Sequence, residues 1–279
     1  MDHRPARSAL YIPGSKDRAL EKARSLPVDI ILFDLEDAVA PDAKVDARDT
    51  LAAALAQGYG PRQRIVRING LDTVWGADDA AAVARMDCDA VLLPKVNGPE
   101  DVDALAALIP DLPIWAMMET PRGILNAAAI ATHPRMAGFV MGTNDLAKDL
   151  GARGRAAMVT SLQLCLLAAR AAGIVALDGV YNAFKDEDGL RAECEQGRDM
   201  GFDGKTLIHP AQVDICNAIF GPSEVEIALA ERQIAAFEEA EAAGQGVAVV
   251  DGRIVENLHV ATARATLAKA AAIAALESA

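Results

Sequence analysis

Side chains able to do chemistry recur in this chain at one kind of place, directly after short apolar runs. Gly14, Ser15 and Lys16 follow SALYIP, Glu36 and Asp37 follow DIILFDL, and Arg67 and Asn69 close RIVRIN. Lys95 ends AVLLPK, Glu119 ends PIWAMME, and Asn144 and Asp145 follow GFVMG. Asp178 lies near the end of IVALDGV, and His209 ends GKTLIH. One charge beside an apolar run is ordinarily a solvated loop residue. Polar residues at the same end of nearly every run point to a shared site.

Glu119 and Asp145 follow consecutive runs, so their carboxylates converge if those runs are neighbouring strands. Two carboxylates with open positions suit a hard octahedral cation, Mg2+ first and Mn2+ as the alternative, which keeps waters and accepts substrate oxygens. No His/Cys cluster argues for zinc. The plainer reading of Glu119 is a charge at the start of the helix near Pro121. Arg67 sits in an otherwise apolar strand and needs an anionic partner for its planar fork. That partner is either Glu36 or Asp37, or the carboxylate of a substrate. In the second case Glu36 and Asp37 hold metal waters and steady the arginine.

The elements that must position these residues are short strands, each followed by turn residues and an Ala/Leu-rich amphipathic stretch. Eight runs qualify: Ser8–Pro13, Asp29–Leu35, Arg64–Asn69, Ala90–Lys95, Pro113–Glu119, Gly138–Gly142, Ile174–Val180 and Gly204–His209. Continuous apolar runs predict strands buried on both faces of a parallel sheet. Eight such units predict an α/β fold, a (β/α)8 TIM barrel, whose chemistry belongs at the C-terminal strand ends. An open doubly wound sheet is the competitor, but no Gly-rich nucleotide loop follows the first run. Beyond Phe220 two helices are expected, about 223–243 and 257–276, separated by a hairpin whose turn is Asp251–Gly252. The expected division is a barrel over residues 1–221 and an extension over 222–279 that covers the site of its own or a neighbouring subunit.

The formal net charge is −13. Such a surface repels nucleic acid and anionic membranes, and no Lys/Arg-rich block offsets it. An anionic substrate then needs a local cation to draw it in. Cys88, Cys165, Cys194 and Cys216 form no C-x-x-C pair and read as buried or half-buried thiols. The first residues contain no apolar leader, and no apolar run reaches a membrane span, so the expectation is a cytoplasmic protein.

In order along the chain, RSALYIPGSKDRALEKA, FDLEDAVAPDAKVDAR, VRING, VLLPKV, METPRG, GTNDLAKDLG and GKTLIHPAQV resemble the citrate lyase beta-subunit family of CoA-ester lyases. That family includes malyl-CoA and citramalyl-CoA lyases and lies within the HpcH/HpaI aldolase superfamily. The resemblance implies a Mg2+-dependent reaction on a 3-hydroxyacyl-CoA thioester, giving an acyl-CoA and a 2-keto acid. Glu119 and Asp145 match the family's metal ligands, and Arg67 its keto-acid-binding arginine. Glu36 and Asp37 match the acidic pair supporting the metal. Arg7, Lys16 and Arg18 resemble the CoA-phosphate-binding region. The resemblance also implies a homotrimer or homohexamer.

The pattern departs at the tail. Where the lyases carry an Asp donated by a neighbouring subunit and followed closely by Pro, this chain reads RIVENLHV, so Glu256 stands in that place. Glu256 can transfer the same proton, one methylene further out; Asp251 is the other acid nearby. The leading expectation is therefore a lyase. The second is a thioesterase on malyl-CoA-type esters with the same metal site. The third is an aldolase on free 2-keto acids, which usually resembles D-x-E-H after the second strand; here Asp37 replaces that His. A binding protein without activity would require the metal carboxylates to be absent.

Overall fold

The computed structural model describes residues 4–278. Among them, eight parallel strands pair in sequence order and close on themselves, β1 with β8. The strands are β1 (Ser8–Pro13), β2 (Ile30–Asp34), β3 (Gln63–Arg67), β4 (Ala90–Leu93), β5 (Ile114–Met118), β6 (Met136–Met141), β7 (Val175–Asp178) and β8 (Gly204–Leu207). Between and after them lie α1 (Asp17–Ala23), α2 (Lys44–Leu55), α3 (Gly76–Val83), α4 (Pro99–Leu108), α5 (Pro121–Leu125), α6 (Ala127–Ala131), α7 (Thr143–Leu150), α8 (Val159–Ala172), α9 (Glu187–Met200) and α10 (Val213–Phe220). This is the (β/α)8 barrel expected from the eight runs.

The barrel interior follows from strand alternation. One contiguous cluster contains Ala9, Ile30, Leu32, Ile65, Ala90, Leu92, Trp115, Met117, Val140 and Leu177, with Tyr11 packed against it. Successive members on a strand are two residues apart, because alternate side chains face the same way. One more step of two along β2, β3 and β5 reaches Asp34, Arg67 and Glu119. The core periodicity therefore carries those three polar residues to the barrel mouth. Trp115 fills the interior beside Gly138, where an added Cβ would lie 2.5 Å from the indole ring. A register shift between β5 and β6 brings Gly138 opposite Trp115.

The seam between first and last strands is tight. A Cβ on Gly204 would stand 1.7 Å from the carbonyl oxygen of Ala6. The Cys216 thiol donates to the Arg7 carbonyl at 3.1 Å. All four cysteines are buried and free.

The chain divides into two compact units, Ala6–Asn217 and a second that includes everything from Ala218 onward. The second contains α11 (Glu224–Ala242), β9 (Ala248–Val250), β10 (Arg253–Val255) and α12 (Asn257–Glu277). Ser223 and Glu226 cap α11 reciprocally. The antiparallel β9–β10 pair turns through Asp251 and Gly252, both at positive φ (50° and 74°), the backbone a tight two-residue hairpin needs. Phe237, Ala240, Ala248, Val255 and Val260 form this unit's own small core. Among the described residues no helix is long and apolar enough to cross a membrane.

Candidate active site

A cavity of about 300 Å3 opens at the C-terminal ends of the strands, at the lower end of the ~300–1,000 Å3 usual for ligand pockets. Its polar lining includes Asp34, Asp37, Arg67, Glu119 and Asp145, together with Tyr11, Thr143, Asn144, Asn182 and Thr206. Met117, Met141, Val180 and Ile208 supply an apolar wall.

Arg67 is 6 % exposed and surrounded by acids. Its Nε and Nη2 donate to the two carboxylate oxygens of Asp34 at 2.8 and 2.6 Å. Nη1 lies 3.0 Å from Glu36 and 3.3 Å from Asp37. The guanidinium carbon sits 4.8 Å from the centre of the Tyr11 ring. The buried arginine thus takes its two-pronged partner from Asp34, which the sequence reading had not considered. Glu36 and Asp37 share only the remaining nitrogen. Asp34 also accepts the N–H groups of Glu36 and Ala38 at 2.9 Å each, which shapes the loop after β2. Burial pushes the Asp34 carboxyl up, but the charge and hydrogen bonds of Arg67 more than offset it and hold it below the usual carboxylate range.

Glu119 is 3 % exposed at the end of β5. Its Oε1 accepts the Lys95 N–H at 2.8 Å. Lys95 presents that N–H from left-handed backbone, φ 52°, a conformation uncommon for a side chain other than Gly or Asn. Burial, reinforced by the charge of Asp145, raises the Glu119 carboxyl to about 7 against the pull of the Lys95 N–H. Burial likewise raises Glu36 to about 7, opposed by Arg67 and reinforced by Asp37 and Glu119. Gly142, where β6 meets α7, packs directly on Glu119, and an added Cβ would lie 2.4 Å from both its Cβ and its Oε2.

Among the described residues no group of three or more His, Cys, Asp or Glu side chains is placed to hold an ion. A closed protein cage is therefore not what this mouth offers. Glu119 and Asp145 face one cavity, close enough for the Asp145 charge to raise Glu119. Two carboxylates turned into one cavity fit a small divalent cation completed by water and substrate oxygens.

Within the barrel unit several expected residues stand away from the pocket, and the acids of the second unit are described by themselves. Arg7, grouped with Lys16 and Arg18 as a phosphate contact, precedes β1 and so lies at the opposite end of the barrel. It is 5 % exposed and bonded through Nε and Nη2 to Asp29 at 3.0 and 2.8 Å, which removes it from any phosphate site at the mouth. Lys16 and Arg18 are exposed on the loop after β1 and in the first turn of α1. Asp178 is fully buried on the outward face of β7, bound by Arg155 through two 2.9 Å contacts and by Lys205 at 3.0 Å. Asn69 is buried against Leu35 and Asp79. Glu256 is exposed at the start of α12, its N–H donating to His259 Nδ1 at 3.2 Å. Asp251 pairs with Arg232 at 2.7 Å.

The sequence reading missed Asp34, Tyr11, Thr143, Asn182 and Thr206. Strand parity would have found the first two, since each lies an even number of residues beyond a core position. Asn182, whose side-chain amide pairs with that of Asn144 across two loops at 2.7 and 3.4 Å, left no periodic signal.

Comparison with known proteins agrees with this architecture. A family model described as HpcH/HpaI aldolase/citrate lyase matches residues 7–210. A (3S)-malyl-CoA thioesterase of Cereibacter sphaeroides (strain KD131 / KCTC 12085) is 67 % identical over 278 residues, covering 98 % of each chain. The citrate lyase subunit beta of Escherichia coli (strain K12) is 34 % identical over 284 residues, 96 % of this chain and 94 % of the relative. Among solved structures, the protein CitE from Mycobacterium tuberculosis, in complex with magnesium, acetoacetate and coenzyme A, superposes with a TM-score of 0.83 at 30 % identity. That match covers 97 % of this chain and 100 % of the other. The chain belongs to the HpcH/HpaI aldolase/citrate lyase family of enzymes.

Proposed function

We propose that this enzyme binds Mg2+, or Mn2+ in its place, between Glu119 and Asp145 and hydrolyses a malyl-CoA-type thioester to the free hydroxy acid and CoA. Carbon–carbon cleavage of the same ester is the second reading. What carries the metal is the acid-rich pocket, in which Asp34 is already neutralised by Arg67 while Glu119 and Asp145 form no ion pair among the described residues. What favours hydrolysis is the 67 % identity with chains named (3S)-malyl-CoA thioesterase. The departure at Glu256 points the same way. When bound, the ion supplies a Lewis acid for the hydroxyl and carboxylate oxygens of the acyl group.

The protein's own residues then divide the work. The first turn of α7, Thr143 to Asp145, lines the pocket, and a helix's first turn leaves N–H donors without intrahelical acceptors, which favours an anionic end of the substrate there. Arg67 keeps one edge on Asp34 and turns Nη1 toward Glu36 and Asp37, so it fixes the positions of the acids beside the acyl group. Met117, Met141, Val180 and Ile208 exclude water from its carbon chain. In hydrolysis a water adds to the thioester carbonyl, the C–S bond breaks, and CoA leaves as the thiol. Glu256, given by a neighbouring subunit as the family resemblance implies, serves as the base for that water; in carbon–carbon cleavage it would protonate the enolate carbon instead. Lys16 and Arg18 are assigned to the phosphates. The enzyme is assigned to the cytoplasm as a homotrimer or homohexamer.

The test is purified protein with malyl-CoA, citramalyl-CoA and free hydroxy-keto acids in Mg2+, following free thiol, malate, glyoxylate, pyruvate and acetyl-CoA. Thiol with malate and no glyoxylate supports hydrolysis. Glyoxylate with intact acetyl-CoA moves the second reading to first place. Turnover indifferent to a chelator or to Glu119→Gln would remove the metal from the account.

A further inference from the structure

The pocket at the barrel mouth has room for a small acyl group, so the nucleotide end of a CoA thioester must rest outside it. One feature of the rim is built to receive a flat ring. Five of the six phenylalanines are buried, whereas Phe184, on the loop between β7 and α9, is 40 % exposed. Its ring stacks on that of His209, on the loop after β8, with centroids 4.6 Å apart and planes 26° from parallel. Ile208, 41 % exposed, borders both this pair and the pocket. Lys185 holds its ammonium 5.8 Å from the Phe184 ring centre and is the one cation between Gly179 and Asp186.

The pair is held in place by its surroundings. Gln212, fully buried, donates to the Tyr181 carbonyl at 2.9 Å and accepts the Ile208 and His209 N–H groups at 3.0 and 3.2 Å, so one side chain ties both loops. The Tyr181 hydroxyl donates to Asp186 at 2.6 Å and closes the loop that carries Phe184. His209 Nδ1 accepts the Ala211 N–H at 3.2 Å, which orients the imidazole and leaves Nε2 to carry the ring proton. An aromatic surface pre-set in this way loses little conformational freedom when a base stacks on it.

We propose that Phe184 and His209 form the stacking seat for the purine ring of the CoA thioester, with Lys185 facing its phosphates. This rests on the reading of the substrate as a CoA thioester. β8 is hydrogen-bonded to β1 in the closed barrel, so the seat neighbours the loop that carries Lys16 and Arg18. A net charge of −13 gives the nucleotide no general attraction, and a ring surface with a local cation supplies a specific one.

The experiment titrates CoA and adenosine 3′,5′-bisphosphate into the wild-type enzyme, Phe184→Ala and Phe184→Trp by calorimetry. It also compares turnover of the CoA ester with that of the matching pantetheine ester, which lacks the nucleotide. Phe184→Ala is expected to weaken both ligands about tenfold, to raise KM for the CoA ester with kcat unchanged, and to leave the pantetheine ester unaffected. Phe184→Trp is expected to bind at least as tightly as wild type. CoA binding to Phe184→Ala at wild-type affinity overturns the seat while leaving the CoA reading intact. So does a change of oligomeric state without a change in CoA affinity, which would make the ring a subunit contact. Failure of the wild type to bind CoA or turn over any CoA ester overturns both.

Discussion

Arg67 and Asp34 meet edge to edge at the barrel mouth, with Nε and Nη2 of the guanidinium 2.8 and 2.6 Å from the two carboxylate oxygens. Both are buried, so neither can exchange its partner for water. Removing the Asp34 charge takes the two-pronged partner from Arg67 and leaves it the Nη1 contacts with Glu36 and Asp37, at a cost of about 1–3 kcal/mol for the buried hydrogen bonds lost. Asp34→Asn is expected to lower unfolding stability on that scale in urea titrations. Arg67→Lys keeps the charge but not the fork. It is expected to lose at least about a hundredfold in kcat/KM, because roughly 1 Å of misplacement is enough for that.

Glu119 and Glu36 give the metal-free protein a distinctive pH response. Each carboxyl is raised to about 7 from an ordinary 4.5. A carboxyl raised in the folded state contributes stability that is present below its unfolded value and lost as pH rises through its folded one. Melting temperature without metal is therefore expected to fall between about pH 4.5 and 7. Added Mg2+ should restore it most at pH 8 and release protons when it binds near pH 6. Differential scanning calorimetry, with calorimetric titrations in two buffers, reads both effects. Glu119→Gln should abolish the Mg2+ rescue.

Gly142 tests the metal site by shape alone. Its φ of −88° suits any residue, so Gly142→Ala carries no backbone penalty. The new methyl would, however, lie 2.4 Å from both the Cβ and the Oε2 of Glu119. The carboxylate must swing away and the backbone at the end of β5 must shift with it, and Mg2+ affinity is expected to fall by at least tenfold while the melting temperature reports the cost of the shift. Unchanged affinity in a Mg2+ titration would mean that Glu119 does not hold the ion from this position.

Lys205 is fully buried between Asp178 at 3.0 Å and Glu193 at 2.6 Å, on the outward side of β8. Lys205→Met leaves two acids with only Arg155 between them and should cost about 3–5 kcal/mol. Because this side chain points away from the pocket, kcat measured well below the melting temperature should stay within about twofold of wild type.

The barrel was legible in the sequence because each strand is a continuous apolar run between turn residues, and all eight runs became strands. The site was legible in part. The rule that chemistry sits at C-terminal strand ends located Glu119, Asp145 and Arg67 at one pocket. The same rule included Asp178, which the structure buries on the outside of the barrel. The difference is parity: Asp34 lies two residues beyond the inward-facing Leu32, whereas Asp178 directly follows the inward-facing Leu177. Arg7 was misplaced for a related reason, since it precedes β1 and so belongs to the other end. Asn182 and Phe184 sit on a loop, where no periodicity reports which way a side chain turns.

The seam between β1 and β8 bears on how the chain comes to fold. Strand β1 begins at Ser8, but its second neighbour begins only at Gly204, so one edge of the first strand stays open while most of the barrel is synthesised. An open strand edge is a template for pairing with other chains. Closure is the most sequence-distant contact in the sheet and the one most exposed to loop-closure entropy. The Gly204 contact against Ala6 and the Cys216 hydrogen bond to Arg7 therefore guard the last step of assembly, at the end of the barrel opposite the pocket.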